Sequence, residues 1–536
     1  MRFKDFTTKQ NIIVLGIIIF IIFCSSLPYL TGLFLAKQDY FMGGNYLNQA
    51  DVNVYISNME QVKNGQYLLV NLFTSEPQKN IFFSPLWLFL GLVAKNLKCN
   101  SILIFHLARI ISAIGFLYFV FYYFLAVFFK KFLEKIVALV LICFSSGFGL
   151  LFNLSRFKLY EKTSVEFWVP EANTFLTLAH SSLFIITQFL IIFIFYLILK
   201  DRHSKFDYLW LFTASMFLGF VHPYDTIIVA AILIVFFVVR LFLKKVHFSL
   251  SLKQYFFYCL TVGLGFLPAI LYFFFYLQNN QAIWGWFKQN ICQSPNFFSY
   301  LIAYLPLIIF CGFSIDLERR NKNNKIYFLL CWIITIMILV YLPVSFQRRL
   351  ISTLHIALAI LATYSLAYLI EIIAKVFKTK LVGLVFFFAL VLLFSLSNLF
   401  FLKTAIYSYQ RARFIYYVPE NFYQAAIWLK ENLALNQAIL SSALDGAILP
   451  ALSARPVFVG HMHQTTNFLK KYDEADGWFF RDTDQIAAKK EFLARNNIKY
   501  IFYSQQERAL GQFNLEAIDN LEKVYSQGNI DIYKVK

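Results

Sequence analysis

The chain has 536 residues, of which 59% belong to the apolar AVILMFWYC set and 14% are charged, against roughly 45–50% and about 25% in an ordinary soluble domain. Such a composition excludes a soluble globular protein and points to a polytopic α-helical membrane protein. The net charge of +19 could suggest a nucleic-acid partner, but Lys and Arg exceed Asp and Glu by 20 over residues 1–415 and fall one short over 416–536. A basic excess confined to the apolar part is what cytoplasmic loops obeying the positive-inside rule produce, so nucleic acid drops out.

A hydrocarbon core of ~30 Å needs about 20 apolar residues in a helix. In chain order the candidate spans are 12–35, 104–129, 136–152, 174–199, 208–221, 226–243, 255–277, 297–314, 326–343, 350–370 and 381–402. The first follows Arg2, Lys4 and Lys9 and lacks a small-x-small cleavage site, which reads as an uncleaved signal anchor. The clusters Lys130/Lys131/Lys135, Lys200/Arg202/Lys205, Lys244/Lys245/Lys253, Arg319/Arg320/Lys322/Lys325 and Lys375/Lys378/Lys380 fall between alternate spans. They are expected in the cytoplasm together with the N-terminus.

That alternation leaves room for one return crossing before Lys130, and the run 104–129 supplies it. The apolar run 81–97 has Pro85 in its first turn, is only 17 residues long and ends in Lys95 and Lys98. It is expected as an interfacial or re-entrant helix. The expectation is a multi-pass protein of the cytoplasmic membrane with about eleven crossings, in a range of eleven to thirteen.

Residues 36–103 then form a long first external loop within a transmembrane domain 1–415. Inside the loop, 51–65 reads as an amphipathic helix: Val52, Tyr55, Ile56, Met59 and Val62 share one face, and Asn64-Gly65 supplies a stop. An amphipathic helix beside a bilayer commonly lies in the interface plane.

Residues 416–536 alternate helical and strand-like pieces: helices at 420–432 and 483–496, strands at 438–442, 456–459, 499–504 and 530–535. This predicts an extracytoplasmic α/β domain around a partly parallel sheet. The seven cysteines are scattered, mostly inside apolar runs, and form neither a disulfide framework nor a CxxC metal site.

Ionisable groups in or beside membrane spans are costly unless they face a cavity, a partner or the interface. On the predicted external side such groups include carboxylates able to take a proton from a hydroxyl, and Arg and His able to stabilise a departing phosphate. Asp51 opens the loop helix, where it suits both a catalytic role and that of a first-turn acid favoured by the helix dipole. Glu171 in Phe167–Phe175 (FWVPEANTF) stands before a span, where Pro170 and an acid are also an ordinary helix start. Glu76 in TSEP is by default an exposed loop acid.

His222-Pro223-Tyr224-Asp225 makes a turn between two spans and also suits a site in a membrane cleft. Arg348 and Arg349 break the charge pattern by lying on the external side, as interfacial anchors or as paired planar forks for phosphate. His106 and Arg109 share one helix face and could assist. Trp284-Gly285-Trp286 reads as an interface belt.

With these residues in view, the chain resembles the GT-C superfamily of membrane glycosyltransferases, and within it a bacterial branch. The matching pieces are DVNVYISNMEQVKNG, TSEP, HLAR (106–109), WVPEANTF, HPYD, FQRRL (346–350), ARPVFVGH (454–461) and KYIFYSQQERALG (499–511). The resemblance implies inverting transfer of a sugar from a polyprenyl-phosphate-linked donor to an extracytoplasmic lipid or cell-envelope glycan acceptor. Asp51 is the position matching the first-loop catalytic carboxylate. Many members carry two adjacent acids there, whereas here Val52 follows, so Glu171 or Glu76 would be its partner.

The residues require no cofactor. A divalent metal is left open, and neither the sugar nor the oligomeric state is specified. Two readings from other classes remain: a lipid-linked saccharide transporter or flippase, and an envelope scaffold without activity.

Overall fold

The computed structural model describes residues 7–154, 164–242, 249–320, 324–482, 484–511 and 514–536, with the backbone alone at 153–154, 281–282, 286 and 316–320. Among the positions singled out above, Lys244, Lys245, Lys322 and Thr483 lie outside the described residues, as do the side chains of Trp286, Arg319 and Arg320. Contacts divide the chain into two units. One comprises Met1–Leu27, His106–Tyr272 and Cys292–Thr404; the other comprises Pro28–Phe105, Phe273–Ile291 and Ala405–Lys536.

Among the described residues seven helices are long and apolar enough to cross a membrane: Thr8–Leu35, Ser101–Phe128, Ser182–Leu199, Tyr224–Phe242, Leu252–Gln278, Phe297–Ile315 and Gln347–Val376. An eighth is added if Lys380–Phe394 and Leu396–Arg411, bent by 50° at their junction, make one span. The chain is therefore a polytopic helical membrane protein. Phe206–Val221 and Lys325–Leu339 are apolar but have only 16 and 15 residues.

The expected runs 136–152 and 174–199 are each broken. The first is Phe132–Phe144 followed by Gly149–Leu154, and the second is Thr174–His180 followed by Ser182–Leu199 with Ser181 extended between them. Both breaks fall at serine pairs, a sequence feature that interrupts helices and that mean hydropathy does not register. Eleven crossings would require these broken and shorter helices to span as well.

Within the first unit the helix Leu354–Val376 is largely enclosed. Ala357, Ala359 and Ala362 are all fully buried, and small residues let the helices Phe297–Arg320 and Phe132–Phe144 approach it closely. Ser314 Oγ donates to Ser365 Oγ at 3.0 Å across the first of these contacts.

In the second unit the loop helix runs Gln49–Lys63 and stops at Asn64, with Gly65 at φ +91°. Its apolar face, Val52, Ile56, Met59 and Val62, is at most 3% exposed and packs on the helices Pro85–Asn96 and Leu449–Ser453. Tyr55 stacks on Trp87 with ring centroids 4.4 Å apart. Pro85–Asn96 has 12 residues, a rise of about 18 Å against a core of ~30 Å, so this helix is shorter than the core is thick.

Strand β1 (Tyr40–Phe41) pairs antiparallel with β2 (Tyr417–Val418). A second sheet has the order β3 (Ala438–Leu440), β4 (Ile498–Tyr503), β6 (Ile530–Val535), β5 (Leu521–Gln527). β3 and β4 are parallel and the other pairs antiparallel, with Ile501 opposite Tyr533. Helices Glu420–Asn432 and Ile486–Arg495 lie where the periodicity predicts them.

Two expectations are corrected. The segment 456–459 makes only a single parallel bridge, Val457 to Ile439, closed by the Ile439 N–H donating to the Pro456 carbonyl and the Phe458 N–H donating to the Ile439 carbonyl, while the Val457 N–H on the other side donates to the carbonyl of Leu72 in the first loop. β5 was not expected, since an edge strand with one neighbour carries no alternation of buried and exposed residues. The grouping also differs from a separate 416–536 domain: the first loop and the C-terminal segment share one unit.

Candidate functional site

In the second unit Asp51 lies half-buried in the first turn of the loop helix, whose N-cap is Asn48. The helix is pinned by Asn53, whose Nδ2 donates to the Ala447 carbonyl at 2.8 Å while its Oδ1 accepts from Gln49 Nε2 at 2.8 Å. Gln49 Oε1 in turn accepts the Gly44 N–H at 3.0 Å. Farther along, Glu60 accepts from Lys63 and Lys430 at 2.8 and 2.7 Å and from Ser101 Oγ at 2.5 Å. Burial pushes the Glu60 pKa up, but the two ammonium groups win and hold it below the usual carboxylate value.

Glu76 is not an exposed loop acid. Its Oε1 lies 2.7 Å from Lys471 Nζ, and it accepts the Thr74 hydroxyl. Lys471, 6% exposed, also donates to Thr74 Oγ1 and Ser75 Oγ at 3.3 and 3.2 Å. Burial lowers the Lys471 pKa, and Glu76 offsets only part of that. Thr465 Oγ1, donating to the Phe73 carbonyl at 2.6 Å, and Asn71 Nδ2, donating to Gln464 O at 2.7 Å, fasten the same stretch. Glu76 thus couples residues 71–76 to 457–471.

In the first unit three motifs meet. The turn Gln347–Ile351 is held by the Arg348 N–H donating to the Cys292 carbonyl at 3.1 Å. The Arg348 guanidinium lies 4.3 Å over the Trp168 ring and that of Arg349 lies 5.1 Å over the Tyr224 ring. Tyr224 packs on Phe346 at 4.7 Å. Glu171, 7% exposed, stands in the single turn Pro170–Ala172, which Tyr304 OH fixes by donating to the Ala172 carbonyl at 2.7 Å. Its carboxylate is within electrostatic reach of Arg349 and of Tyr300.

His222 Nδ1 and Asp225 Oδ2, both buried, are 3.0 Å apart at angles outside a hydrogen bond. The His222 ring meets Phe184 and Tyr224 at 5.7 and 5.5 Å. WVPEA, HPYD and FQRRL are therefore brought together, with FQRRL as the shared partner: Arg348 lies on Trp168 and Arg349 on Tyr224. Two guanidinium planes set on aromatic faces beside a carboxylate suit recognition of phosphate oxygens.

Arg109 does something else. It is 1% exposed, and its Nη1 and Nη2 donate to the Leu178 carbonyl and Ser26 Oγ at 2.9 and 2.8 Å, a tie between helices. His106 lies half-buried one turn earlier on the same helix. Glu166, to which no motif assigned a role, is a buried staple. It accepts the Gly149 N–H at 2.8 Å, Ser164 Oγ at 2.9 Å and Ser397 Oγ at 2.7 Å.

Sequence reasoning assigned no part to His461 or Lys471 either. The signal for both is burial of a polar side chain, which needs the tertiary fold. Among the described residues no three His, Cys, Asp or Glu side chains lie close enough together to hold a metal ion.

No protein-family model matches the chain, and no curated protein matches it. Solved structures do. The oligosaccharyltransferase of Archaeoglobus fulgidus, crystallised with a tethered acceptor peptide containing the NVT sequon, matches with a TM-score of 0.57 at 13% identity, over 98% of this chain and 74% of that one. ArnT from Cupriavidus metallidurans gives 0.53 at 11% identity over 98% of both chains. The arabinofuranosyltransferase AftD from Mycobacteria gives 0.51 at 12% over 96% of this chain and 40% of that one. The chain has the fold of the GT-C membrane glycosyltransferases, as its motifs led one to expect.

Proposed function

We propose that this chain is a glycosyltransferase that moves a sugar from a polyprenyl-phosphate-linked donor to an extracytoplasmic lipid or cell-envelope glycan acceptor. The observation that carries the reading is the cluster of Arg348, Arg349 and Glu171 around Trp168 and Tyr224 in a chain of GT-C fold. Two of the structures it resembles hold lipid phosphates: ArnT with undecaprenyl phosphate and the archaeal enzyme with dolichol-phosphate.

In this reading the arginines bind the donor phosphate. Their planar forks neutralise the charge that grows on the phosphate oxygen as its bond to the anomeric carbon breaks. Asp51 takes the acceptor proton as the new bond forms from the opposite face, so the anomeric configuration inverts. Glu171 sets the position of Arg349, and His222 and Asp225 line the same end of the first unit. The N-terminus is cytoplasmic and residues 416–536 are extracytoplasmic.

General-base catalysis contributes typically 10²–10⁴-fold. In cells making Asp51→Asn at wild-type levels, mass spectrometry of envelope glycans should show the product reduced by at least about 100-fold, with lipid-linked sugar accumulating. Undiminished product would overturn the assignment.

A further inference from the structure

His461 is placed with unusual care for a residue without an assigned role. It follows Gly460, where a Cβ would stand 2.3 Å from the Gly446 carbonyl oxygen, so only glycine fits. The chain then turns back, and the N–H groups of Gln464 and Thr465 donate to the His461 carbonyl at 3.0 and 2.8 Å. Inside this turn the imidazole Nδ1 accepts the N–H of His463 at 3.0 Å and of Gln464 at 3.2 Å. A nitrogen that accepts two backbone N–H bonds carries no proton, so the hydrogen of the neutral ring sits on Nε2.

The residue is 5% exposed, and its ring meets Phe73 edge-on at 5.7 Å. Burial holds its pKa down at about 4 against the opposing pull of the Asp51 carboxylate. The ring is therefore neutral near pH 7, and Nε2 is a donor only. Among the described residues Nε2 has no hydrogen-bond partner. A buried donor left unpaired is costly, and such groups in native structures are few enough that each asks for a reason. Asp51 is within electrostatic reach but Nε2 makes no bond to it. A donor and a carboxylate are thus presented to one locality within the second unit.

We propose that His461 Nε2–H is the donor that holds the acceptor, and that the acceptor's nucleophile is a hydroxyl group. The inference rests on Asp51 being the general base. A hydroxyl oxygen has two lone pairs and one proton. One lone pair accepts from His461 Nε2–H, the proton passes to Asp51, and the other lone pair forms the bond to the anomeric carbon. The carbon–oxygen bond to the phosphate breaks and its electron pair leaves with the polyprenyl phosphate. His461 keeps its proton throughout.

Nitrogen nucleophiles do not fit this pair. A carboxamide nitrogen has no lone pair to accept with, and an amine has one, which the attack requires. The product is accordingly an O-glycoside, unlike the product expected of a carboxamide acceptor.

The test expresses the full-length chain in cells lacking it. The variants compared are H461F, which removes the donor but keeps a planar ring, H461Q, which places an amide donor near the Nε2 position, and D51N. Product and lipid-linked sugar are followed by mass spectrometry, the new linkage is identified by NMR, and the thermal midpoint of each purified variant reports folding. Expected are an O-glycoside and product formation roughly 10- to 100-fold slower in H461F. H461Q should stay within about tenfold of wild type, with midpoints unchanged.

Wild-type rates in H461F together with a silent D51N would overturn the His461 role and leave the base assignment standing. Wild-type rates in D51N would overturn both. An N-linked product would overturn the acceptor class. If H461F unfolds, H461L supplies a second donor-free variant, and the linkage of the wild-type product still decides the acceptor.

Discussion

Gly91 is what allows the helix Pro85–Asn96 to lie against the loop helix Gln49–Lys63. A Cβ at that position would stand 2.5 Å from Val62 Cβ and 3.0 Å from the Met59 carbonyl oxygen. Carbon atoms in contact sit ~3.5–4.0 Å apart, so alanine forces the helices apart by about 1 Å or drives Val62 off its rotamer. Overpacking of this kind costs about 1–3 kcal/mol, and the better helix propensity of alanine returns about 1 kcal/mol. The expected net effect of Gly91→Ala is a loss of up to about 2 kcal/mol. Val62→Ala removes two buried methylene equivalents and should cost about 2 kcal/mol. In the double variant the new methyl enters the space Val62 vacates while the helix-propensity gain remains, so the total should be about 1 kcal/mol, a coupling of about 1–3 kcal/mol between the sites. Pulse proteolysis of the full-length protein across a urea series, scored by cleavage within residues 64–105, measures all three variants. If Pro85–Asn96 instead crossed a bilayer away from the loop helix, Gly91→Ala would stabilise by about 1 kcal/mol and the two effects would add within about 0.5 kcal/mol. That result would refute the packing.

Glu60→Gln keeps shape but leaves the ammonium groups of Lys63 and Lys430 without their counter-charge. Both lysine side chains are about a quarter exposed, so water recovers part of the cost of a broken buried pair, and a loss of about 2 kcal/mol in the same proteolysis assay is expected; a loss below about 0.5 kcal/mol would contradict it. Burial pushes the Asp476 pKa up to about 6 against the Ala443 N–H, with Glu507 raising it further and Arg481 lowering it. The folded state then holds this proton more tightly than the unfolded chain. Stability should fall as pH rises from about 4 to about 6 and level off above, by at most roughly 3 kcal/mol. Asp476→Asn should remove that slope, and parallel stability curves for the two proteins would speak against the burial. Arg349→Lys loses the planar fork over Tyr224 and should weaken undecaprenyl phosphate binding to the protein in nanodiscs by about tenfold. Unchanged affinity would remove Arg349 from the phosphate role.

Legibility in the sequence follows from where each side chain finds its partner. The helix Glu420–Asn432 falls at its predicted bounds because it buries one face and so carries a period, and β6 because it is a short run rich in strand formers, buried over its first four residues. β5 has only β6 beside it and leaves no such trace. The breaks at Ser145-Ser146 and Ser181-Ser182 escape because hydropathy averages over them. Arg348 and Arg349 stand out in the sequence because a basic pair on the predicted outer side runs against the positive-inside pattern, and the fold seats both on aromatic faces. Glu76 had a sufficient local explanation as a loop acid and was misjudged, because its partner Lys471 lies 395 positions away. His461 is the harder case. A histidine after a glycine in a turn would read the same whether its Nε2 were bonded or not, and the difference between core residue and site residue is that one nitrogen. Charge placed against the topology therefore singles out a cationic pair from sequence, whereas neutral donors emerge only when the partners of every buried polar atom have been traced.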